Sequence, residues 1–456
     1  MRTVLKASKW LGGLAVLSLA ALLAWLYLAP PDLIRVGSGY AAKIVCSNVF
    51  LAGREPEEVL ALDVQAPGHP LLRLMRVKVD REAGTVTAGL LGILGTSVAV
   101  FRDGLGCASV PDGNLVRAKS LAGPPSRPHE APDRLWPDGE RVETGHDPEL
   151  EQLLDDPELA GEGMRAIVVV RNGRIVAERY GDGFSAATPL LGWSMTKTVT
   201  AAIVGTLVED GQMALDRKEL LPSWRGDGRA DISIADLMAM ASGLEFNEDY
   251  GDVTDVTRML FLEPDMAAFA AAKPLIQPVG SVFSYSSGTT AILSRLWQDA
   301  IGDRKLALAW PRLALFTPLG MQSAVLEADA AGTFAGSSYM YATARDWARF
   351  GQFLLQEGMW RGRQILPPGF VAWMREPSDA SPAYGRGHVW IEGEQDDASG
   401  SAPEVPPDTF WMQGHDGQRI AIIPSRQLVV VRMGLTPAKL GYQPRHLVAK
   451  VAKAAG

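Results

Sequence analysis

Cysteine is nearly missing from this chain: among 456 residues only Cys46 and Cys107 occur, and they are not in a C-x-x-C spacing. That excludes a cysteine-built metal centre and a dithiol redox site. A basic excess is missing too. The 44 Lys and Arg are outnumbered by 52 Asp and Glu, for a net charge of -8, so nucleic acid is excluded as the main partner because nothing is left over to neutralise phosphates. There is no glycine-rich phosphate loop and no internal repeat, and the residues call for neither cofactor nor metal.

Long uncharged apolar runs are missing after the first thirty residues. Within them, Trp10 to Ala29 carries no charge, and about 20 residues at roughly 1.5 Å each match the roughly 30 Å hydrocarbon core of a bilayer. Arg2, Lys6 and Lys9 precede this run and Asp32 is the first charge after it. The expectation is a cytoplasmic tail (1–9), a single-pass inner-membrane anchor (10–29) and a periplasmic remainder. A cleaved signal peptide is the alternative, disfavoured by the length of the run and by Pro30-Pro31 after it.

Residues 33–117 read as a small separate β-rich module. Leu74 to Val79 and Gly84 to Val100 are rich in Val, Leu and Thr with a turn between them. Cys46 and Cys107 lie near its two ends. On the exported side of a membrane they are expected to pair, and closing a loop of about 60 residues stabilises by roughly 4 kcal/mol in the chain-entropy model. Residues 118–148 hold Pro124, Pro125, Pro128, Pro132 and Pro137 among charges and read as an extended linker.

From 149 to 456 the pattern is that of one α+β domain. Arg165 to Val170 and Arg174 to Tyr180 flank an Asn172-Gly173 turn, a hairpin signature. Helices are expected from Ile234 to Leu319 with interruptions, then over Met340 to Leu355 and Pro368 to Met374. Strands return at Gln418 to Ile423 and Gln427 to Met433, and a last helix covers Pro444 to Ala454. Strands at both ends predict one antiparallel sheet shared by the two ends, flanked by helices.

The chemistry is carried by residues rather than by composition. Ser194 and Lys197 stand three apart where a helical run begins, so their side chains share one face. Lys197 is the only lysine with a serine three positions before it, and a lysine whose charge is disfavoured can take the proton of a neighbouring hydroxyl. Tyr285 alone among the tyrosines has a serine or asparagine two positions on, in Tyr285-Ser286-Ser287. A phenol with its pKa lowered by Lys197 would be a base toward Ser194. His415 is the only histidine in an H-x-G setting, His415-Asp416-Gly417-Gln418. Gly417 there would let a ligand approach the backbone, and the next amide would donate to an oxyanion. His388 and His446 read as surface residues.

In the order S-x-x-K, Y-x-S, H-x-G, these motifs resemble the serine beta-lactamase superfamily, in the class C-like branch that includes carboxylesterases and 6-aminohexanoate-dimer hydrolases. The stretches Ile234 to Leu244, Pro318 to Met321 and Tyr341 to Gly351 are similar to that branch as well. The resemblance covers about residues 130 to 456. It implies a beta-lactamase/transpeptidase-like fold and Ser194 as the acylated nucleophile, with Lys197 and Tyr285 in proton transfer. His415 takes the place of the K-T-G lysine, and the amides of Ser194 and Gln418 form the oxyanion hole. Ser287, Gly417, Trp193 and Tyr250 would contact substrate, although packing competes as the role of Trp193. Ser287 replaces the asparagine of Y-x-N, and the K-T-G lysine is absent. A substrate carboxylate would lose its fixed cation, and Asp416 would repel it. The expected substrate is therefore a small ester or amide. The alternatives are a D,D-peptidase or beta-lactamase, and a non-catalytic sensor or scaffold that keeps the fold.

Overall fold

The computed structural model describes residues 2–66, 68–125, 133–143, 147–393 and 403–455. Helix α1 (Arg2–Leu28) is followed, after Pro30-Pro31, by helix α2 (Asp32–Leu51). Among the described residues no single helix is long and apolar enough to cross a membrane. Val16–Leu28 and Asp32–Leu51 meet the length and composition only as a pair, bent by 55°.

Helix α2 is the first departure from the sequence reading, which placed only strands in this region. It lies on an antiparallel meander of β1 (Met75–Asp80), β2 (Thr85–Leu90), β3 (Leu94–Arg102) and β4 (Gly106–Ser109). Cys46 on α2 and Cys107 on β4 form a disulfide. Nearly every residue of α2 from Gly37 to Val49 is buried, so it shows no polar stripe. Such a helix is invisible to a search for amphipathic periodicity. Gly39 is required by a close approach: a Cβ there would lie 2.9 Å from the Phe261 Cβ.

Nor is this region a separate module. Its apolar residues and those of the following domain form one continuous core cluster. Charged groups lock the two together. The Lys43 ammonium pairs with Glu327, which also accepts from Ser47 Oγ (2.9 Å) and the Cys107 amide (2.6 Å). Asp63 pairs with both Arg54 (2.8 Å) and Arg165 (2.7 Å). All of these except Arg165 are essentially removed from solvent.

Part of the expected linker, residues 126–132 and 144–146, lies outside the described residues. Its described centre is not a free connector. Trp136 is buried, and Arg349 donates to the carbonyls of Pro137 (3.1 Å) and Gly139 (2.6 Å).

The main sheet has five antiparallel strands in the order β7 (Phe410–Gly414), β8 (Gln418–Ile423), β9 (Leu428–Gly434), β5 (Met164–Arg171), β6 (Arg174–Tyr180). The two ends of the domain thus meet in the middle of one sheet, as the strand pattern predicted. The β5–β6 turn is Asn172-Gly173, with φ of 51° and 74°, the left-handed pair that a tight hairpin needs. Strand alternation sends Val168, Val170, Val429 and Val431 to the main core. Ile167, Val169, Ala421 and Val430 face the second core, closed by Leu447, Val448 and Val451 of the C-terminal helix Pro444–Ala454.

Helix α3 (Met195–Glu209) is buried from Met195 to Leu207. Helix α4 (Ser287–Ile301) follows, and helix α5 (Ala344–Leu355) comes after a short strand at Met340–Ala342 that the sequence had merged into the helix. Edge strand β7 was not foreseen, because it emerges from a stretch with no readable pattern.

Candidate active site

The turn before α3 is held from both sides. Gly192 donates its amide to Met340 O (3.0 Å) and lies so close to the Trp347 ring that a Cβ would sit 2.2 Å from it. Trp193 adopts φ of 48°, a strained value for a bulky residue and one that such turns store at functional sites. Ser194 then takes the N-cap position of α3, yet its side chain makes no capping bond. Its hydroxyl is left for another use.

Lys197, one turn on, is fully buried. Its Nζ lies 3.2 Å from Ser194 Oγ, 3.0 Å from Ser287 Oγ and 3.1 Å from Ser337 O. Burial lowers its pKa to about 8, against a smaller opposing effect of Glu248. The directions of these bonds are set by their partners. A carbonyl can only accept, and the Ser287 hydroxyl gives its proton to Glu248, whose other oxygen accepts from the Ser287 amide (2.7 Å). Ser287 Oγ must therefore accept from Lys197. A neutral amine uses its two N–H groups on Ser287 and Ser337, which turns its lone pair toward the Ser194 hydroxyl.

Glu248 was the group the sequence reading passed over. It is one of three acids in the polar loop Asn247 to Asp252, and its partner Ser287 is 39 positions away. Ser287, expected to touch substrate, is instead completely buried between Lys197 and Glu248. It relays charge and does not face a ligand.

Tyr285 also departs from expectation. Burial raises its pKa well above the ordinary phenol value, only partly offset by a hydrogen bond with the Ser194 hydroxyl. Lys197 Nζ sits over its ring, 4.7 Å from the centroid, so the ammonium does not stabilise a phenolate oxygen. At neutral pH Tyr285 is a proton donor next to Ser194.

His415 sits in the β7–β8 hairpin. Its ring stacks on Tyr250 (centroids 5.0 Å), meets Trp193 edge-on (5.8 Å), and its Nε2 is 3.4 Å from Asp416 Oδ1. Gly417 has φ of 81°, which the hairpin requires. A Cβ there would meet the Arg432 guanidinium at 2.7 Å, so the glycine serves packing against Arg432 and not the approach of a ligand. His388, read as a surface residue, is buried against Thr290 (3.2 Å) and Tyr384 (3.4 Å), with its pKa lowered to about 3 by burial and by Lys197. His446 is exposed, as expected.

Gln418 is in the wrong strand to serve an oxyanion. It lies opposite Gly414 in the β7–β8 ladder, one strand in from the edge, and its side chain is committed to the backbone of Gly434. The strand beside the Ser194 turn is β7, where a Cβ on Gly414 would collide with Gly192 O. Trp411 exchanges both backbone bonds with Trp390 on the outer side of β7 (2.9 and 2.8 Å). Backbone groups alternate along a strand, so two residues later the Gln413 N–H also points outward from the sheet. An outward amide on the strand beside the Ser194 turn is a candidate partner for the Ser194 amide in holding an oxyanion.

A cavity of about 160 Å³ adjoins this cluster, lined in part by Trp193, Tyr250 and His415. The Tyr250 hydroxyl interacts with Ser287 and Ser338, which ties the cavity wall to the Lys197 network.

A family model described as Beta-lactamase matches residues 158–447. The chain belongs to the beta-lactamase family. A 6-aminohexanoate-dimer hydrolase of Paenarthrobacter ureafaciens is 25% identical over 240 residues, covering 49% of this chain and 59% of that protein. The match thus spans less than two thirds of that relative's length. A Bacillus anthracis structure assigned to 6-aminohexanoate-dimer hydrolase superposes with a TM-score of 0.57 at 22% identity, covering 72% of this chain and 89% of that one. A penicillin-binding protein homologue from Caulobacter crescentus gives 0.51 at 17% identity, covering 68% and 97%. At these identities the structures establish a beta-lactamase/transpeptidase-like fold. The Ser194–Lys197 pair lies within the residues that the family model matches.

Proposed function

We propose that the protein cleaves a small ester or amide through an acyl-enzyme on Ser194. The observation that carries this reading is the buried amine of Lys197, 3.2 Å from Ser194 Oγ and neutral over part of the accessible pH range because its pKa is about 8. Ser194 Oγ attacks the substrate carbonyl as its proton passes to Lys197 Nζ. The oxyanion is met by the amides of Ser194 and Gln413, worth on the order of 3 to 4 kcal/mol each in comparable sites. As the tetrahedral species collapses, the bond to the leaving oxygen or nitrogen breaks, and that atom takes the proton that Lys197 Nζ received from Ser194, while the Tyr285 hydroxyl donates a hydrogen bond beside it. Water then attacks the acyl-Ser194 ester by the same steps in reverse roles, freeing the acid and Ser194.

Asp416 next to His415, in the place of the K-T-G lysine, favours a substrate without a carboxylate at that position. A periplasmic location with α1 as a single-pass inner-membrane anchor is part of the proposal. Trp10, Leu11, Leu14, Val16 and Leu17 of α1 are exposed, an apolar surface that a lipid environment would cover. The Cys46–Cys107 disulfide fits an oxidising compartment.

Labelling by a fluorophosphonate probe and hydrolysis of nitrophenyl acetate are expected for the native protein and lost in Ser194→Ala. A mutant that labels and turns over like the native protein would sink the proposal.

A further inference from the structure

The cavity beside His415 is built jointly by two parts of the chain. Leu33 and Val36 of α2 with Leu71 and Leu72 form one wall, and Trp193 and Phe261 belong to the other. The first wall lies entirely outside residues 158–447, the part of the chain matched by the family model. The wall is rigidly held. Helix α2 is stapled by the Cys46–Cys107 disulfide and anchored through the Lys43–Glu327 pair, and Gly39 lets it lie directly on Phe261. The charged groups that line the cavity beside these apolar side chains include Asp252 and Asp416, which oppose an anionic occupant.

Resting on the reading of Ser194 as the nucleophile, we infer that this cavity receives the apolar part of the substrate, so that the N-terminal segment selects esters or amides bearing an uncharged aliphatic chain. Position supports the assignment. Trp193, one of the cavity walls, is the residue before Ser194, and Tyr250 both lines the cavity and contacts the Ser287 that holds Lys197. The cavity wall is thus adjacent to Ser194 in the chain and one contact removed from Ser287. A mainly apolar cleft of this kind favours chains over small polar groups because each buried methylene adds to binding.

The test uses the full chain in detergent and two ester series. In one the acyl group of a nitrophenyl ester grows from acetyl to octanoyl, and in the other the alcohol of an acetate ester grows from methyl to octyl. Native protein should gain at least about tenfold in kcat/KM along one series. Leu71→Trp, which narrows the cavity at a partly exposed position, should flatten that gain. Leu33→Trp, at the exposed start of α2, should do so more weakly. Fluorophosphonate labelling of both variants reports the integrity of Ser194 separately. Loss of labelling in the native protein would count against the serine hydrolase reading itself. Normal labelling with no chain-length gain in either series, or with a gain that both variants retain, would overturn the cavity assignment.

Discussion

Among the described residues two lysines, on two helices, are fully buried, and they meet opposite surroundings. Lys43 on α2 faces a carboxylate directly, donates to Ser47 Oγ (2.9 Å) and lies 4.0 Å from the centroid of the Tyr339 ring. Lys197 on α3 is surrounded by neutral oxygens, with Glu248 reached only through Ser287. Burial lowers both pKa values, and Glu327 opposes it at Lys43 more directly than Glu248 does at Lys197. One lysine is placed to remain an ion and fasten two parts of the chain. The other is placed to lose its charge and accept a proton. The same residue becomes a lock or a base according to whether a carboxylate touches it or stands one hydroxyl away.

That contrast can be broken from either side. The largest effect is expected for Lys197→Met: a fall in kcat of at least about a thousandfold, with a urea midpoint equal to or above native because no amine has to be buried. A strongly destabilised but active variant would refute the assignment. Lys43→Met should invert the outcome. It leaves Glu327 buried without its partner and should cost about 3 to 5 kcal/mol of stability, read by urea unfolding, while turnover of nitrophenyl acetate by the folded fraction stays near native. Adding Glu327→Gln should recover part of the loss. The smallest and sharpest effect is a shift of pH profile. Native kcat/KM should rise with pH through about 8 as Lys197 becomes neutral. Glu248 raises the Lys197 pKa, so Glu248→Gln should move that rise to lower pH. A profile that stays put or moves upward would show that Glu248 does not act on the amine.

The sequence made one side of this contrast visible and hid the other. Ser194 and Lys197 could be read because a helix brings residues three apart onto one face. The five-stranded sheet could be read in outline because β5, β8 and β9 contain apolar runs bounded by turn residues and β6 follows β5 across Asn172-Gly173. Lys43 could not be, since α2 is buried on every side and carries Gly37-Ser38-Gly39, which weakens any helical signal. Glu248 was hidden for another reason: its importance comes from a partner on a distant helix, and nothing local to Asn247-Glu248-Asp249 marks it. Gln418 was expected to donate to an oxyanion because it follows the H-x-G motif, yet it lies one strand in from the edge of the sheet, and the motif does not say which strand lies at the edge. Pairing of that kind is a tertiary fact.

The continuity of α2 with the catalytic domain sets where the chain can be cut. Cleavage at Gly37 would remove the first turn of α2, the Asp32–Arg258 pair (2.7 Å) and the Leu33 and Val36 side of the cavity. A truncated form that keeps α2 whole must therefore begin at or before Asp32.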